Sequence, residues 1–294
     1  MNRREFLKLA AVSSLLAGCR RWAPRGRIGL ALGGGGARGL AHVPMLEAMD
    51  ELGIRPYRIA GTSIGAVIGT MYAAGMKGRE IRELIDRITV SADESWLAEL
   101  FEQGVTHWWN LIELQLGHGG LINTDAFIGF LENTIGVSRF ADLEIPLKVV
   151  ATDFWDRKQV IFDSGRLNPA IQASIAIPGL FSPLRYRGRV LVDGGLVNPV
   201  PYDLLMEECE VVIAIDVSGH GNPKSDEGPG YFETLFNTMQ IMQTSILREK
   251  IKRQPPHIFI HPELQGIHVL DFNRVDEIYQ QAMSARNKLM QELR

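Results

Sequence analysis

Ser63 stands at the centre of Gly61-Thr62-Ser63-Ile64-Gly65, a pattern in which a serine hydroxyl can act as a nucleophile. The pattern lies between a predicted strand, residues 57–60, and a predicted helix, residues 64–74. A serine at such a turn needs small neighbours so that its hydroxyl projects clear of the backbone, and the two flanking glycines meet that need. The N-terminus of the following helix favours the negative charge that develops in acyl transfer. We therefore predict that Ser63 is the nucleophile of a serine hydrolase, with Gly61 and Gly65 as its small neighbours.

A second glycine-rich segment, Gly33 to Gly39, follows the first predicted strand, residues 28–32. Glycines allow backbone N–H groups to approach a substrate closely, as the oxyanion hole of acyl transfer requires. Arg38 adds a positive charge beside these groups. The same residues match the G-x-G-x-x-G pattern of dinucleotide-binding proteins, which expects an acidic residue at the end of the second strand. That strand ends here at Ala60-Gly61, shortly before Ser63, which disfavours nucleotide binding.

A serine nucleophile also needs a group that accepts its proton. Asp193 ends a predicted apolar strand and is followed by two glycines that leave room beside it, so it is the preferred base. Desolvation at a sheet edge would strengthen a carboxylate in this role. His257 and His261 flank a strand near the C-terminus and remain the alternative bases, because they follow the serine as in an α/β-hydrolase triad. His42, on the first helix, is predicted to be structural.

Taken together, these motifs resemble those of the patatin-like phospholipase family, in particular its short bacterial lipoprotein members. The glycine loop, G-x-S-x-G and Asp193-Gly194-Gly195 occur in the family's order, and Ala173 to Gly179 is similar to a further segment that lines the family's site. The resemblance implies a Ser63–Asp193 dyad without histidine. It also implies an oxyanion hole formed by the amides of Gly34, Gly35 and Gly36 with the help of Arg38, and no metal or other cofactor.

The elements that position these residues indicate an α/β protein. Strand, glycine loop, helix, strand, turn and helix follow one another within the first 75 residues, which is the beginning of a parallel sheet. We predict a three-layer αβα patatin-like domain with a mainly parallel central sheet over residues 28–218. Residues 219–294 are predicted to form a helical extension that packs on this domain. Residues 91–120, with Trp96, Trp108 and Trp109, are interpreted as a lid or as a helical excursion that covers the core.

The N-terminal residues have the features of a bacterial export signal. A basic segment with an arginine pair precedes an apolar stretch too short to span a bilayer, and Leu16-Ala17-Gly18-Cys19 resembles a lipobox. We predict a signal peptide over residues 1–18, acylation of Cys19, and a basic membrane-proximal tether over residues 19–27. This would anchor the protein in the bacterial cell envelope, facing the periplasm, with the outer membrane favoured. The alternative is a soluble cytoplasmic enzyme whose N-terminus is not processed.

The composition is that of an ordinary globular protein. The chain has 294 residues, a formal net charge of −3 and 22% charged residues, so nucleic acid is not an expected partner. Its two cysteines form no cluster with zinc-ligand spacing, and Cys209 is predicted to be a small buried hydrophobe. We predict a serine lipid acyl hydrolase that releases fatty acids from lipid esters. The alternative function is that of a membrane-tethered regulatory protein without turnover; the ester and the oligomeric state are left open.

Overall fold

The computed structural model describes residues 26–90, 124–219 and 230–294. The predicted signal peptide, Cys19 and the three tryptophans of residues 91–120 lie outside these ranges, as does most of the tether. Across the described ranges, we find no helix with the length and apolar character that crossing a lipid bilayer requires.

Strands and helices alternate through the first part of the described chain. The strands are β1 (Ile28–Leu32), β2 (Arg58–Thr62), β3 (Leu147–Asp153), β4 (Lys158–Phe162), β5 (Leu184–Tyr186), β6 (Arg189–Asp193), β7 (Val211–Ile215) and β8 (Ile258–Ile260). The α-helices are α1 (His42–Glu51), α2 (Ile64–Ala73), α3 (Gly78–Val90), α4 (Asp125–Ile135), α5 (Leu167–Ser174), α6 (Tyr231–Arg253) and α7 (Val275–Glu292). A short 3₁₀ helix, Gly36–Ala41, connects the glycine loop to α1.

The strands form one mixed sheet in the order β5-β6-β3-β2-β1-β7-β8, with β4 paired to β3. Strands β3, β2, β1, β7 and β8 run parallel to one another, whereas β4, β5 and β6 pair in antiparallel fashion. The central strand β1 is buried along its whole length, as expected for a strand covered on both faces of a sheet. Helices lie on both sides of the sheet, and the predicted three-layer α/β fold with a mainly parallel sheet is confirmed.

The register of β3 brings the ends of two other strands together. Strand β4 pairs with Val149 to Asp153 and so occupies one edge of β3. Strands β2 and β6 therefore share the other edge, where Thr62 pairs with Val150 and Asp193 pairs with Ala151. Because these partners are consecutive residues of β3, the C-terminal ends of β2 and β6 meet from opposite directions. This junction places Ser63, the residue after Thr62, beside Asp193.

The C-terminal residues belong to the same core as the sheet. Strand β8 pairs in parallel with β7 and extends the sheet by one strand. Ile260, Ile278 and Leu289 are fully buried in the cluster that contains Leu30 of β1. The predicted boundary at residue 218 therefore does not separate two cores. Cys209 is buried and free, as predicted.

Helix α5 ends close to strand β6, which carries Asp193. It ends at Ser174, because the next residues turn toward the sheet and the Ala176 carbonyl accepts a hydrogen bond from the Asp193 N–H (2.9 Å). The last carbonyl groups of a helix have no partner within it, so a carbonyl just beyond Ser174 can pair with a strand instead. The bond from the Asp193 N–H therefore joins the end of α5 to β6.

Candidate active site

Ser63 occupies a strained turn between β2 and α2. Its backbone adopts φ 54° and ψ −127°, a conformation that L-residues rarely adopt, and the side chain is only 5% exposed. The Ala66 N–H donates to the Ser63 carbonyl (2.8 Å), so the helix begins immediately after the serine. The N–H groups of the first turn of α2 thus face the serine, where they favour negative charge.

The glycines on either side of Ser63 are required by close packing of the turn. A Cβ atom at Gly65 would lie 2.3 Å from the Leu32 carbonyl oxygen, and one at Gly61 would lie 2.6 Å from the Ala66 Cα. Both contacts involve backbone atoms, which cannot move aside as a flexible side chain can. The structure therefore gives the flanking glycines the steric role that the sequence indicates.

Ser174 holds the serine turn against β3. Its hydroxyl accepts a hydrogen bond from the Ser63 N–H (2.9 Å) and donates one to the Val150 carbonyl (2.6 Å). Ser174 is fully buried, so both bonds are shielded from water. Ser174 lies in the segment that is similar to the family's site-lining stretch, but its role was not predicted from the sequence. The available signal was a hydroxyl between the apolar residues Ala173 and Ile175.

We expect Ser174→Ala to lower both stability and activity. The substitution leaves the buried Ser63 N–H and Val150 carbonyl without their partner, at a cost of about 1–3 kcal/mol in the free energy of unfolding. Because the Ser63 backbone is then less constrained, kcat should fall more than KM rises. Chemical denaturation and steady-state hydrolysis of a short nitrophenyl ester measure the two effects. Ser174→Thr, which retains the hydroxyl, should keep more activity than the alanine variant; equal activity of the two would contradict the role.

Asp193 ends β6 at the junction with β2 and is 5% exposed. Its Oδ1 atom accepts a hydrogen bond from the Gly195 N–H (2.6 Å), and its backbone carbonyl accepts one from the Thr152 hydroxyl (2.8 Å). Burial raises the pKa of the Asp193 carboxyl to about 6, while hydrogen bonds from Ser63 and Gly195 act in the opposite direction. A carboxylate with this pKa is a stronger base than an exposed aspartate and is still mostly ionised at neutral pH.

Ser63 and Asp193 face each other at the strand junction. The Ser63 hydroxyl stabilises the charged form of the Asp193 carboxyl, yet Oδ2 has no partner at normal hydrogen-bond distance among the described residues. The contact between the two side chains is therefore looser than an ordinary hydrogen bond. Catalytic hydrogen bonds are often long in structures without substrate and shorten when substrate binds. The arrangement suits transfer of the serine proton to Oδ2.

We expect kcat/KM for a soluble short ester to rise as the pH rises through about 6 and then to level off. Asp193 must be ionised to accept a proton, and its raised pKa sets the midpoint of the rise. A histidine base would give a similar profile, so the measurement includes His257→Ala and His261→Ala. The rise should persist in both variants; its disappearance in either would assign the base to that histidine.

Some N–H groups of the glycine loop donate to backbone carbonyls, and others have no acceptor among the described residues. Gly34 donates to the Pro199 carbonyl (3.0 Å), and Ala37 donates to the Val269 carbonyl (2.8 Å). For the N–H groups of Gly35 and Gly36, no acceptor is found among the described residues. Gly34 therefore does not contribute to the predicted oxyanion hole, because its N–H group already donates to the Pro199 carbonyl. The N–H groups of Gly35 and Gly36 remain as the donors of the predicted oxyanion hole.

Close contacts explain why glycine occupies these two positions. A Cβ atom at Gly35 would lie 2.7 Å from the Val217 carbonyl oxygen, and one at Gly36 would lie 2.3 Å from the Val269 carbonyl oxygen. Gly36 also has a positive φ of 59°, which disfavours other residues. Because backbone atoms of Val217 and Val269 pack against the loop, the N–H groups of Gly35 and Gly36 are held in position before substrate binds.

Arg38 is buried, and its guanidinium holds the loop to three other segments. Nε donates to the Ile267 carbonyl (2.9 Å), one terminal nitrogen donates to the Ser218 carbonyl, and the other donates to Gln240 Oε1 of α6 (3.3 Å). Burial lowers the pKa of Arg38, while Asp271 and Asp216 raise it. The side chain thus brings a positive charge to the site, as predicted, but its N–H groups are used to position the loop.

These residues line one cleft that is open to solvent. Its polar atoms come from the serine, the aspartate, the glycine loop and Arg38, with Ser218, Gln240 and Gln243 beside them, whereas the rest of its wall is apolar. The apolar lining residues are Ile177, Pro178, Leu196, Phe236, Met239 and Val269. Such a wall accommodates a hydrocarbon chain next to the polar reacting groups.

The three histidines weighed in the sequence analysis do not line this cleft. His42 is buried, its Nε2 lies 2.8 Å from the Gly33 carbonyl, and burial lowers its pKa to about 4. His257 accepts a hydrogen bond from the Val212 N–H (3.1 Å). His261 lies 3.0 Å from the Asp216 carboxylate. All three therefore have structural partners.

In the described part of the chain, no group of three or more His, Cys, Asp or Glu side chains is arranged to hold a metal ion.

The chain is similar in sequence to known proteins. The sequence profile of the family described as patatin-like phospholipase matches residues 30–206. An uncharacterized NTE family protein of Mycobacterium tuberculosis is 33% identical over 223 residues, which are 75% of this chain and 57% of the relative. Lysophospholipase NTE1 of Saccharomyces cerevisiae is 28% identical over 302 residues, 95% of this chain and 17% of that protein. The chain thus spans little more than half the length of the first relative and a far smaller part of the second.

A solved structure shows the same fold at low sequence identity. The crystal structure of VipD from Legionella pneumophila superposes with a TM-score of 0.51 and 14% identity, covering 90% of this chain and 67% of that one. The family profile spans more than half of the chain and includes the serine turn, the glycine loop and Asp193. The protein belongs to the patatin-like phospholipase family.

Proposed function

We propose that this protein is a serine acyl hydrolase that releases fatty acids from lipid esters. The observation that carries the proposal is the Ser63–Asp193 junction, where a hydroxyl on a strained turn faces a buried carboxylate whose pKa is raised to about 6. Ser63 is the nucleophile and Asp193 the base. Two glycine amides that have no acceptor among the described residues and an apolar wall complete the site.

The reaction proceeds in two steps of acyl transfer. Asp193 accepts the proton of Ser63 as the hydroxyl oxygen attacks the ester carbonyl, and the amides of Gly35 and Gly36 stabilise the oxyanion that forms. When the ester bond breaks, the protonated Asp193 returns the proton to the leaving alcohol, and the acyl group stays on Ser63. Asp193 then removes a proton from water, the resulting hydroxide attacks the acyl-enzyme, and the fatty acid leaves as Ser63 regains its proton.

The apolar wall of the cleft and the family support a lipid ester as substrate. Apart from the base Asp193 and from Arg38, whose N–H groups donate to two carbonyls and to Gln240, the described lining residues carry no charged side chain, and the apolar ones can bury hydrocarbon. The yeast relative is named a lysophospholipase, which makes a phospholipid or lysophospholipid a specific candidate.

We further propose that acylated Cys19 tethers the protein in the bacterial cell envelope, with its catalytic domain facing the periplasm and the outer membrane as the favoured location. The order of basic segment, apolar stretch and lipobox-like residues supports this proposal. Two or more acyl chains would hold the protein stably on a bilayer, where a single chain would not. Mass spectrometry of the native N-terminus tests the proposal; a chain that begins at Met1 would contradict it.

The function is tested by incubating the protein with a panel of phospholipids, lysophospholipids and neutral glycerolipids and identifying the products by mass. We expect free fatty acid from at least one class, and none from any class with Ser63→Ala. Labelling by a fluorophosphonate, with heat-denatured protein as control, shows whether the nucleophile is activated in the folded state. A folded protein that neither labels nor releases fatty acid would support a tethered regulatory role instead.

A further inference from the structure

Two hairpin tips at the end of β3 carry exposed aromatic and basic side chains. We define the hairpin-tip surface as residues 154–158, which connect β3 to β4, and residues 185–189, which form the β5–β6 hairpin. The two segments lie side by side, because the Phe154 N–H donates to the Val190 carbonyl (2.8 Å) and Arg189 pairs with Asp153 (3.6 Å). They form one continuous surface from residues that are distant in sequence.

The aromatic part of this surface is held rigidly toward solvent. Trp155 is 73% exposed, more than any other large hydrophobic side chain in the described ranges, and Phe154 is 46% exposed. Their rings pack edge to face with centroids 4.9 Å apart. The Asp153 carboxylate accepts hydrogen bonds from the N–H groups of Trp155 (3.2 Å) and Asp156 (3.1 Å), which fixes the turn. Solvent exposure of an ordered tryptophan is unfavourable unless another apolar phase covers it.

The basic part gives the surface a charge opposite to that of the whole chain. Arg157, Lys158, Arg185 and Arg187 are exposed, and none has an acidic partner at ion-pair distance among the described residues. Arg189 is paired with Asp153, which lies just outside the two segments, and Asp156 is the single acidic residue within them. The surface is therefore positive on a chain whose net charge is −3. Such a concentration of cations favours an anionic partner.

We propose that the hairpin-tip surface docks the protein on an anionic lipid bilayer, with Trp155 and Phe154 in the interfacial region and the arginines on lipid phosphates. Tryptophan and arginine suit this interface because each joins an apolar body to a polar group. The surface also lies near the catalytic site, since Arg189 is four residues from Asp193 on β6, about 13 Å along an extended strand. This inference rests on the proposed function, because it identifies an anionic bilayer as the source of the lipid ester that the protein hydrolyses.

Docking is measured apart from hydrolysis. The full-length chain carries Ser63→Ala to prevent turnover and Cys19→Ser to prevent acylation, and vesicle co-sedimentation measures its binding. The vesicles are phosphatidylcholine alone or phosphatidylcholine with about one third phosphatidylglycerol, which supplies negative charge. We expect tighter binding to the anionic vesicles, weakened by salt.

Two sets of substitutions test which residues bind. Arg157→Glu with Arg187→Glu should weaken binding to anionic vesicles by roughly 25-fold or more, since each cation at such a surface contributes about a fivefold factor. Trp155→Ala should weaken binding to both kinds of vesicle. The control, Lys77→Glu with Lys288→Glu, makes the same change in net charge at exposed positions outside the surface and should have much less effect.

The outcomes separate this inference from the proposed function. Equal binding of the hairpin-tip variants and the control would overturn the docking surface, even if the wild-type chain hydrolyses lipid. In a chain that retains Ser63, Arg157→Glu with Arg187→Glu should slow hydrolysis of vesicle phospholipid while leaving kcat/KM for a soluble short ester unchanged. Loss of both activities in that variant would instead indicate damage to the site and would contradict a role confined to docking. A wild-type chain inactive on both substrates overturns the proposed function alone.

Discussion

Replacing Ser63 with alanine is expected to abolish hydrolysis of short nitrophenyl esters and labelling by a fluorophosphonate. Without the hydroxyl no acyl-enzyme can form, and loss of a serine nucleophile costs on the order of 10⁴-fold or more in kcat. The fold should survive, because the hydrogen bond from the residue 63 N–H to Ser174 does not involve the lost side chain. Thermal unfolding of the variant should therefore resemble that of the wild type, which separates loss of chemistry from loss of structure.

A matched control makes this result specific. Ser164, exposed in the turn after β4, lies outside the cleft, and Ser164→Ala should label and hydrolyse as the wild type does. Retained labelling of the Ser63→Ala protein would move the nucleophile to another residue and overturn the assignment.

Asp193→Asn is expected to remove activity almost as completely while making the protein more stable at neutral pH. The amide cannot accept the serine proton, so the acylation step loses its base. Its carbonyl oxygen can still accept the hydrogen bond from the Gly195 N–H that Oδ1 accepts in the wild type (2.6 Å). Activity and stability should thus change in opposite directions, as expected for a charge kept in a buried site for function.

The pH dependence of this stability difference follows from the pKa. Burial raises the pKa of Asp193 from 3.8 to about 6, so between these values the folded state holds more protons than the unfolded state. The wild type therefore loses stability as the pH rises through this window and stays less stable above it, by on the order of 2–3 kcal/mol. Asparagine does not titrate, so the Asp193→Asn protein should have a higher free energy of unfolding than the wild type at pH 7–8. This difference should disappear below about pH 4.

Denaturant unfolding at several pH values measures the difference. Asp156→Asn, at an exposed position on the β3–β4 turn, is the control and should show neither effect. An active Asp193→Asn protein would exclude this carboxylate as the base. A greater loss of activity in His257→Ala or His261→Ala would assign the base to histidine.

Local features of the site were predictable because local sterics determine them. A serine between two glycines, at the end of an apolar strand, predicts a tight turn, and the structure has φ 54° at Ser63 in that place. The predicted strand over residues 28–32 agrees with β1. These conclusions need only residues that are neighbours along the chain.

Features that depend on partners distant in sequence were not predictable in the same way. The Gly34 amide looks equivalent to its neighbours in the sequence, but the Pro199 carbonyl accepts its hydrogen bond. The sequence predicts only a positive charge at Arg38. In the structure its N–H groups donate to the carbonyls of Ser218 and Ile267 and to Gln240 of α6. Ser174 joins the serine turn to Val150 through a hydroxyl whose neighbours are all apolar in the sequence.

The sequence by itself determined that this chain has a serine on a strained turn, a glycine loop after its first strand and a mainly parallel α/β sheet. Only the tertiary structure decided that Ser63 and Asp193, 130 positions apart in the chain, meet. They meet because β2 and β6 approach one edge of β3 from opposite directions and end at the consecutive residues Val150 and Ala151. That register depends on hydrogen bonds along the whole of β3, and burial at the same junction raises the pKa of Asp193.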